Sequence, residues 1–385
     1  MNSELIRNDF PILKTKVGGH QIVYFDNAAT TQRPLPVVNA VLDYTTHENG
    51  NPHRGAHIFA ISASEAYDTS KEVVRDFIHA RSEKEIIYTR NTSESLNLVA
   101  RSYGETHLKA GDHILITIAE HHSNLVTWQR VAQKTGATLD YIYVDKETGH
   151  FPEEELKKID DPRVKLFAFA EVSNVLGIDF DPKPLIQRAH AHGAIVVLDG
   201  AQSTPHKPVD VQDLDCDFFA FSGHKMCSMG GIGVLYGKEE LLNDMEPFLM
   251  GGDMIEDVHE QETTYAELPA KFEAGTQYVE GAVSLVAAIR YVQAIGFDEI
   301  RAQEKRLVTR CLEGMKKLPF IHIIGPTDPE EKEGLVAFEV EGVHPHDVAQ
   351  ILSAEGICIR TGHHCAQPLH IYLGINASCR ASFYF

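Results

Sequence analysis

The chain has 385 residues, 43% hydrophobic and 23% charged, and a formal charge of −20 at pH 7. That length exceeds one compact core and predicts two domains, and the composition is that of a folded globular protein. So acidic a chain excludes general binding to nucleic acid or to an anionic membrane, which need a basic face, but leaves room for a local basic pocket that takes a small anion.

In chain order, residues 62–80 suit an amphipathic helix and EIIYT (85–89) a short strand. Residues 94–108 read as helix, and HILITI (113–118) as a buried strand. TLDYIYV (138–144) and VKLFAFA (164–170) are further strands. A helix over 181–192 stops at Gly193, and AIVVLD (194–199) and DFFAFS (217–222) are strands again. Apolar strands alternating with helices predict an α/β fold with a large, mainly parallel sheet covered on both faces. From residue 282 the pattern changes to helices over 282–295 and 297–317, strands at 320–324 and 335–340, a helix over 345–355, and strands near 357–360 and 378–384. This predicts a smaller α+β C-terminal domain. The expected division is an N-terminal segment (1–18) packing with the small domain, a large domain (19–265) and a small one (266–385).

In open parallel sheets, ligands bind beyond the carboxyl ends of the strands. Five such ends carry polar residues: Asp199 before GAQ, Asn174 in EVSNVLG, EHH at 120–122, Ser222, His224 and Lys225 in SGHK, and Ser93 and Glu94 in RNTSES. Each has an ordinary reading as a helix cap, a turn residue or a solvated charge. Together they put a lysine, a carboxylate, an amide, an imidazole and a helix N-terminus on one edge of one sheet. Pyridoxal phosphate chemistry uses that set: an amine for the aldehyde, a carboxylate for the ring nitrogen, and helix N-terminal amides and hydroxyls for the phosphate.

The motifs DNAATT, NPHRG, EHHSN, VSNVLG, LDGAQ, SGHK, FEAGT, RTGHHCA and CRAS together resemble the class V, fold-type-I pyridoxal phosphate enzymes, specifically SufS-type (group II) cysteine desulfurases. The resemblance runs from residue 9 to the end. It implies pyridoxal 5'-phosphate as cofactor, L-cysteine as substrate, a homodimer, and a persulfide passed to an acceptor protein of the SufU or SufE type for iron–sulfur cluster assembly. It makes Lys225 the Schiff-base lysine, Asp199 the partner of the ring nitrogen, and Asn174 and Gln202 donors around the ring oxygen. His121 would stack on the ring. Thr92, Ser93, Ser222 and His224 would hold the phosphate, with Thr276 reaching in from the other subunit. Arg380 would clamp the substrate carboxylate, Asn27 and Ala28 would line the substrate side, and His53, Arg54 and Arg360 would form the rim. Cys365 would accept the sulfur.

Read from the residues alone, RTGHHCAQP (360–368) also admits a zinc site with Cys379 or an inert thiol, although adjacent ligands suit a tetrahedral site poorly. Selenocysteine lyase activity, another class V reaction such as transamination or kynurenine cleavage, and a non-enzymatic scaffold stay open too. The shortness of the cysteine segment predicts a tethered nucleophile that needs a docked acceptor. His346, at the start of the 345–355 helix, is a candidate to engage a metal carried by that acceptor, while the roles of His363 and His364 are open. The six cysteines form no C-x-x-C pair, the first ten residues lack a signal-peptide core, and no apolar run approaches a membrane span; a cytoplasmic protein is expected. Two departures from the family stand out. SMGG (228–231) replaces a G-P-T-G-like loop, with Met229 near the place of a proline or small residue, which leaves the rigidity of the loop after Lys225 open. The chain also stops at RASFYF where relatives continue into a helix, predicting a truncated chain with uncovered aromatic surface.

Overall fold

The computed structural model describes residues 3–385. Seven strands form the large sheet: β1 (Ile86–Thr89), β2 (His113–Thr117), β3 (Thr138–Ile142), β4 (Val164–Ala170), β5 (Ile195–Asp199), β6 (Phe218–Ser222) and β7 (Gly233–Gly237). Their order is β1-β7-β6-β5-β4-β2-β3. The pairs from β6 to β3 are parallel, and only β7 runs against its neighbours β1 and β6. The central strands are buried on both faces, so they need helices on both sides. Phe167, Phe169 and Phe219 point into one core; Leu166, Ala168, Phe218 and Ala220 point into the other. This is the period-two alternation of a strand expressed as two separate cores.

Strand β7 is not apparent in the sequence, because only Val-Leu-Tyr separates its two glycines. Gly233 is required there: a Cβ would lie 2.6 Å from the Asn91 backbone, which caps the helix after β1. The helices Leu35–His47 (α1) and Ile58–Ile78 (α2) pack with Val279–Ile295 (α6) in the first core. That core therefore includes a helix lying after residue 265. Between these, α3 is Thr92–Val99, α4 Val126–Thr135 and α5 Pro182–Ala191.

The second unit begins with α7 (Phe297–Met315) and has a four-stranded antiparallel sheet. Its strands are β8 (Ile321–Ile324), β9 (Leu335–Val340), β10 (Arg360–Gly362) and β11 (Ser378–Ser382), in the order β8-β9-β11-β10. Two helices complete it, α8 (Pro345–Ala354) and α9 (Gln367–Leu373). The segment Val23–Tyr24 pairs in parallel with Ile357–Cys358, and Ser382 N–H donates to Phe25 C=O (2.8 Å), so the early chain is stitched into this unit.

The aromatic surface expected at the C-terminal residues is largely covered. Phe383 and Tyr384 are buried; Phe383 packs on Phe25 and Tyr384 on His206, while Phe385 meets Phe10. The early chain supplies the cover for Phe383 and Phe385, and the segment after β5 covers Tyr384. Among the described residues, no single helix is long and apolar enough to cross a membrane.

Candidate active site

The carboxyl ends of β1, β2, β4, β5 and β6 converge on one cavity of about 210 Å³. Lys225 follows β6 in a single turn, Gly223–Lys225, and lines the cavity with Asp199. Burial pushes the Lys225 amine down to about 8, although the Asp199 carboxylate opposes the shift. The Asp199 carboxyl is raised, again chiefly by burial, against the Ala201 N–H that donates to its Oδ1 (2.9 Å) and the charge of Lys225.

The loop after the lysine is pinned from three sides. Cys227 N–H donates to Thr31 Oγ1 (2.7 Å), Arg33 Nε to Ser228 C=O (3.1 Å), and the hydroxyls of Ser228 and Ser284 pair at 2.7 Å. These contacts hold the loop where SMGG lacks the proline of the family.

At the N-terminus of α3, Asn91 is the cap, its side chain accepting from Glu94 N–H (3.0 Å). Thr92 bonds Ser222 Oγ through both its N–H (2.8 Å) and its hydroxyl (2.7 Å), and Ser93 pairs with the Ser123 hydroxyl. His224 also lines this end, lowered to about 4 by burial and by the neighbouring Lys225 and Arg33 charges. His121 is lowered to about 3 by burial and by Lys225. Its Nδ1 accepts from Ser123 N–H (3.1 Å), which leaves the ring proton on Nε2.

Gln202 and Asn174 line the cavity, and each donates one amide hydrogen to a backbone carbonyl, Gln202 to Ala28 (2.8 Å) and Asn174 to His364 (2.6 Å). Arg380, on β11, is only 2% exposed. Its Nη1 donates to Asn174 C=O (2.8 Å), and Nη2 lies 3.5 Å from Asp26 Oδ1. Burial lowers it to about 10, so it stays cationic at neutral pH.

Cys365 and Arg360 line the same cavity. The turn that presents the thiol places His364 and Cys365 consecutively in the left-handed region, at φ 50° and 58°. It is held by Asn174 at His364 C=O and by His122 N–H at Cys365 C=O (2.6 Å). His122 Nε2 also accepts from Gln367 N–H (3.0 Å). The two histidines separate in role. His364 is buried and its Nε2 meets Ser378 Oγ (2.9 Å), whereas His363 is half-exposed and packs edge-on against His370. Cys216, Cys227 and Cys379 are buried, and burial raises each thiol.

Four expected residues are not brought to this cavity within the chain. Asn27 turns its amide to the Tyr24 and Ser382 carbonyls, leaving Ala28 to line the site. His53 and Arg54 line a second cavity of about 520 Å³ beside the buried Lys71–Glu273 pair, with Arg54 bonded to Asp253. Thr276 is exposed on the neighbouring strap, where Gly275 N–H donates to Gly252 C=O (2.9 Å). Conversely, Asp26, Ser123, Ser378 and His370 support the site without a sequence signal that singles them out.

The donor set fits pyridoxal 5'-phosphate. An amine sits near its deprotonation range, and a buried carboxylate has just one hydrogen bond among the described residues. Two amides are fixed by the backbone, and a capped helix N-terminus is ringed by hydroxyls.

The model of the class V aminotransferases matches residues 23–385. A probable cysteine desulfurase from Halalkalibacterium halodurans is 48% identical over 384 residues, covering 100% of this chain and 94% of the relative. The apo structure of a cysteine desulfurase from Thermococcus onnurineus NA1 superposes with a TM-score of 0.93 at 43% identity, covering 99% of this chain and 93% of that one. The cysteine desulfurase CsdA from Escherichia coli gives 0.90 at 37% identity, covering 100% and 94%. The chain belongs to the class V aminotransferase family and, within it, to the cysteine desulfurases.

Proposed function

We propose that the protein converts L-cysteine to L-alanine and takes up the sulfur as a persulfide on Cys365. The observation that carries this reading is the thiol itself: Cys365 lines the same cavity as Lys225, Asp199 and Arg380, on a backbone turn tied down at both carbonyls.

Pyridoxal phosphate, when bound, supplies the electron sink that makes the substrate's α-carbon acidic. Lys225, Asp199, Gln202, Asn174 and the hydroxyl-ringed start of α3 would hold it. Arg380 orients the substrate by its carboxylate, and its buried position strengthens that charge-assisted contact. Lys225 has an amine that gives up its proton near neutrality, so it serves as the base and acid at the α-carbon. His121 stays neutral and keeps its proton on Nε2. Cys365 attacks as the thiolate. A sulfur–sulfur bond forms as the substrate's carbon–sulfur bond breaks. The electron pair passes to the substrate skeleton, whose β-carbon then takes a proton, so cysteine and the thiol become alanine and the persulfide.

The finer reading is a SufS-type enzyme that works as a homodimer in the cytoplasm and hands sulfur to an acceptor of the SufU or SufE type for iron–sulfur cluster assembly. Exposed Ile58, Phe59 and Ile61 on α2, with Leu249, Met250 and Tyr278, support a second subunit. His53, Arg54 and Thr276, not at this chain's cavity, would complete the partner's. The six free cysteines suit a reducing compartment. The exposed His344–His346 pair at the start of α8 supports contact with a metal-bearing acceptor. The domain division proposed is a segment of residues 1–18, a large domain from 19 and a small domain after it, with the boundary moved from the expected 265 to the break between α6 and α7, because α6 packs in the first core.

The test is alanine release from L-cysteine, with and without an acceptor protein. The wild type should release alanine, faster with acceptor, and Lys225→Ala and Cys365→Ala should each abolish it. Full turnover by Cys365→Ala would favour a class V reaction that needs no thiol.

A further inference from the structure

One carboxyl near the cavity takes no part in the chemistry above. Glu120 is fully buried, one residue before His121 and just past the end of β2. Its Oε1 meets the Thr117 hydroxyl (2.6 Å) and accepts from Ala170 N–H (3.2 Å) at the end of β4; its Oε2 accepts from Asn124 Nδ2 (2.7 Å).

The donors in this network are fixed by chemistry. Trp128 Nε1–H can only donate, and it donates to Asn124 Oδ1 (2.8 Å). Asn124 must therefore present Nδ2 to Glu120, and the Ala170 amide must donate as well. Two obligate donors thus face two different oxygens, which a carboxyl satisfies and an amide cannot. Burial and the nearby Asp199 push the Glu120 carboxyl up to about 8, against the hydrogen bonds from Thr117, Asn124 and Ala170. The Thr117 hydroxyl donates to Oε1 as well, while its oxygen accepts from Ala119 N–H (3.2 Å).

The turn anchored this way bears on both halves of the site. Asn124 N–H donates to His121 C=O (2.8 Å), and Ser123 N–H fixes the His121 ring. His122 N–H holds Cys365 C=O (2.6 Å), and its ring holds Gln367 N–H (3.0 Å). We propose that Glu120 is a positioning residue: it locks the 120–124 turn to the ends of β2 and β4, and through that turn sets Cys365 in register with His121.

The inference rests on the desulfurase reading for its turnover readout only; the reactivity of the Cys365 thiol reads the geometry by itself. Glu120→Gln places an NH2 against an obligate donor whichever way the amide turns. Adding Asn124→Asp restores complementarity. The introduced amide then accepts from Ala170 N–H through its oxygen and donates through its nitrogen to the introduced carboxylate, which still accepts from Trp128.

The holoenzyme variants are compared by kcat and KM for alanine formation from L-cysteine, and by the rate at which iodoacetamide alkylates Cys365. Glu120→Gln should lower kcat on the order of tenfold, as a buried unpaired donor implies, with KM changed by less than about twofold and the alkylation rate altered. The Glu120→Gln/Asn124→Asp double variant should recover both readouts to within about threefold of wild type, as a coupled pair does. A double variant as impaired as Glu120→Gln, or unable to fold, overturns the proposal, as does a Glu120→Gln enzyme indistinguishable from wild type. A wild type that makes no alanine contradicts the desulfurase reading instead, and the alkylation rates still decide the network.

Discussion

Ser378→Ala probes the support of the nucleophile most sharply. Ser378 is fully buried on β11, and its hydroxyl lies 2.9 Å from both His364 Nε2 and His370 Nε2. The protons along this line can be assigned. His370 Nδ1 donates to the Ala366 carbonyl (2.9 Å), so its Nε2 is bare and takes the Ser378 O–H, and Ser378 in turn accepts from His364 Nε2–H. Both rings are held neutral, mainly by burial. Removing the hydroxyl strands one buried donor and one buried acceptor, each costing about 1–3 kcal/mol, so an apparent destabilisation of about 2–6 kcal/mol is expected. It also frees the ring beside Cys365, in a turn whose two consecutive left-handed residues carry a conformational cost of about 1–2 kcal/mol each. The assay is urea unfolding of the holoenzyme with alanine release measured on the same preparation. Stability and kcat should both fall. A change below about 0.5 kcal/mol, the range of an ordinary surface substitution, with unchanged kcat would refute the relay.

Two further predictions concern the cavity charges. With its amine pushed down to about 8, Lys225 in the cofactor-free protein should be roughly one-tenth neutral at pH 7 and half neutral at pH 8, against an ordinary lysine midpoint of about 10.4. Because only the free amine attacks an aldehyde, the rate of pyridoxal phosphate uptake, followed by absorbance, should rise with pH through a midpoint of about 8 and level off roughly one unit above it; a midpoint above about 10 would contradict the shift. Arg380→Lys keeps the charge but loses the fork that reaches both Asn174 C=O and Asp26. It should raise KM for L-cysteine by on the order of tenfold or more, and an unchanged KM would remove Arg380 from substrate binding.

The edge that carries the site was readable because each strand is an apolar run ended by polar residues, and the rules of parallel sheets then bring those ends together. Asp199, Lys225, His121 and Ser93 fall where that logic puts them. The short strand β7 escaped because it is three residues between glycines, and its glycine answers to the approach of Asn91, a tertiary fact. His363 and His364 are identical and adjacent in the sequence; two successive left-handed residues send one ring to Ser378 and leave the other at the surface. Glu120 reads as a solvated carboxylate beside a histidine pair, because nothing local shows that Trp128 and Asn124 close over it. His53, Arg54 and Thr276 took their roles from resemblance. His53 and Arg54 line a second cavity and Thr276 is exposed, so within this chain none of the three reaches the site.

The measurement that bears most directly on the central claim is the intact mass of the holoenzyme after L-cysteine is added without acceptor, with peptide mapping of the modified site. The account predicts one added sulfur atom on Cys365, matched by one equivalent of alanine, and no addition in Cys365→Ala or Lys225→Ala. Sulfur found on another cysteine, or alanine formed with Cys365 unmodified, would contradict it.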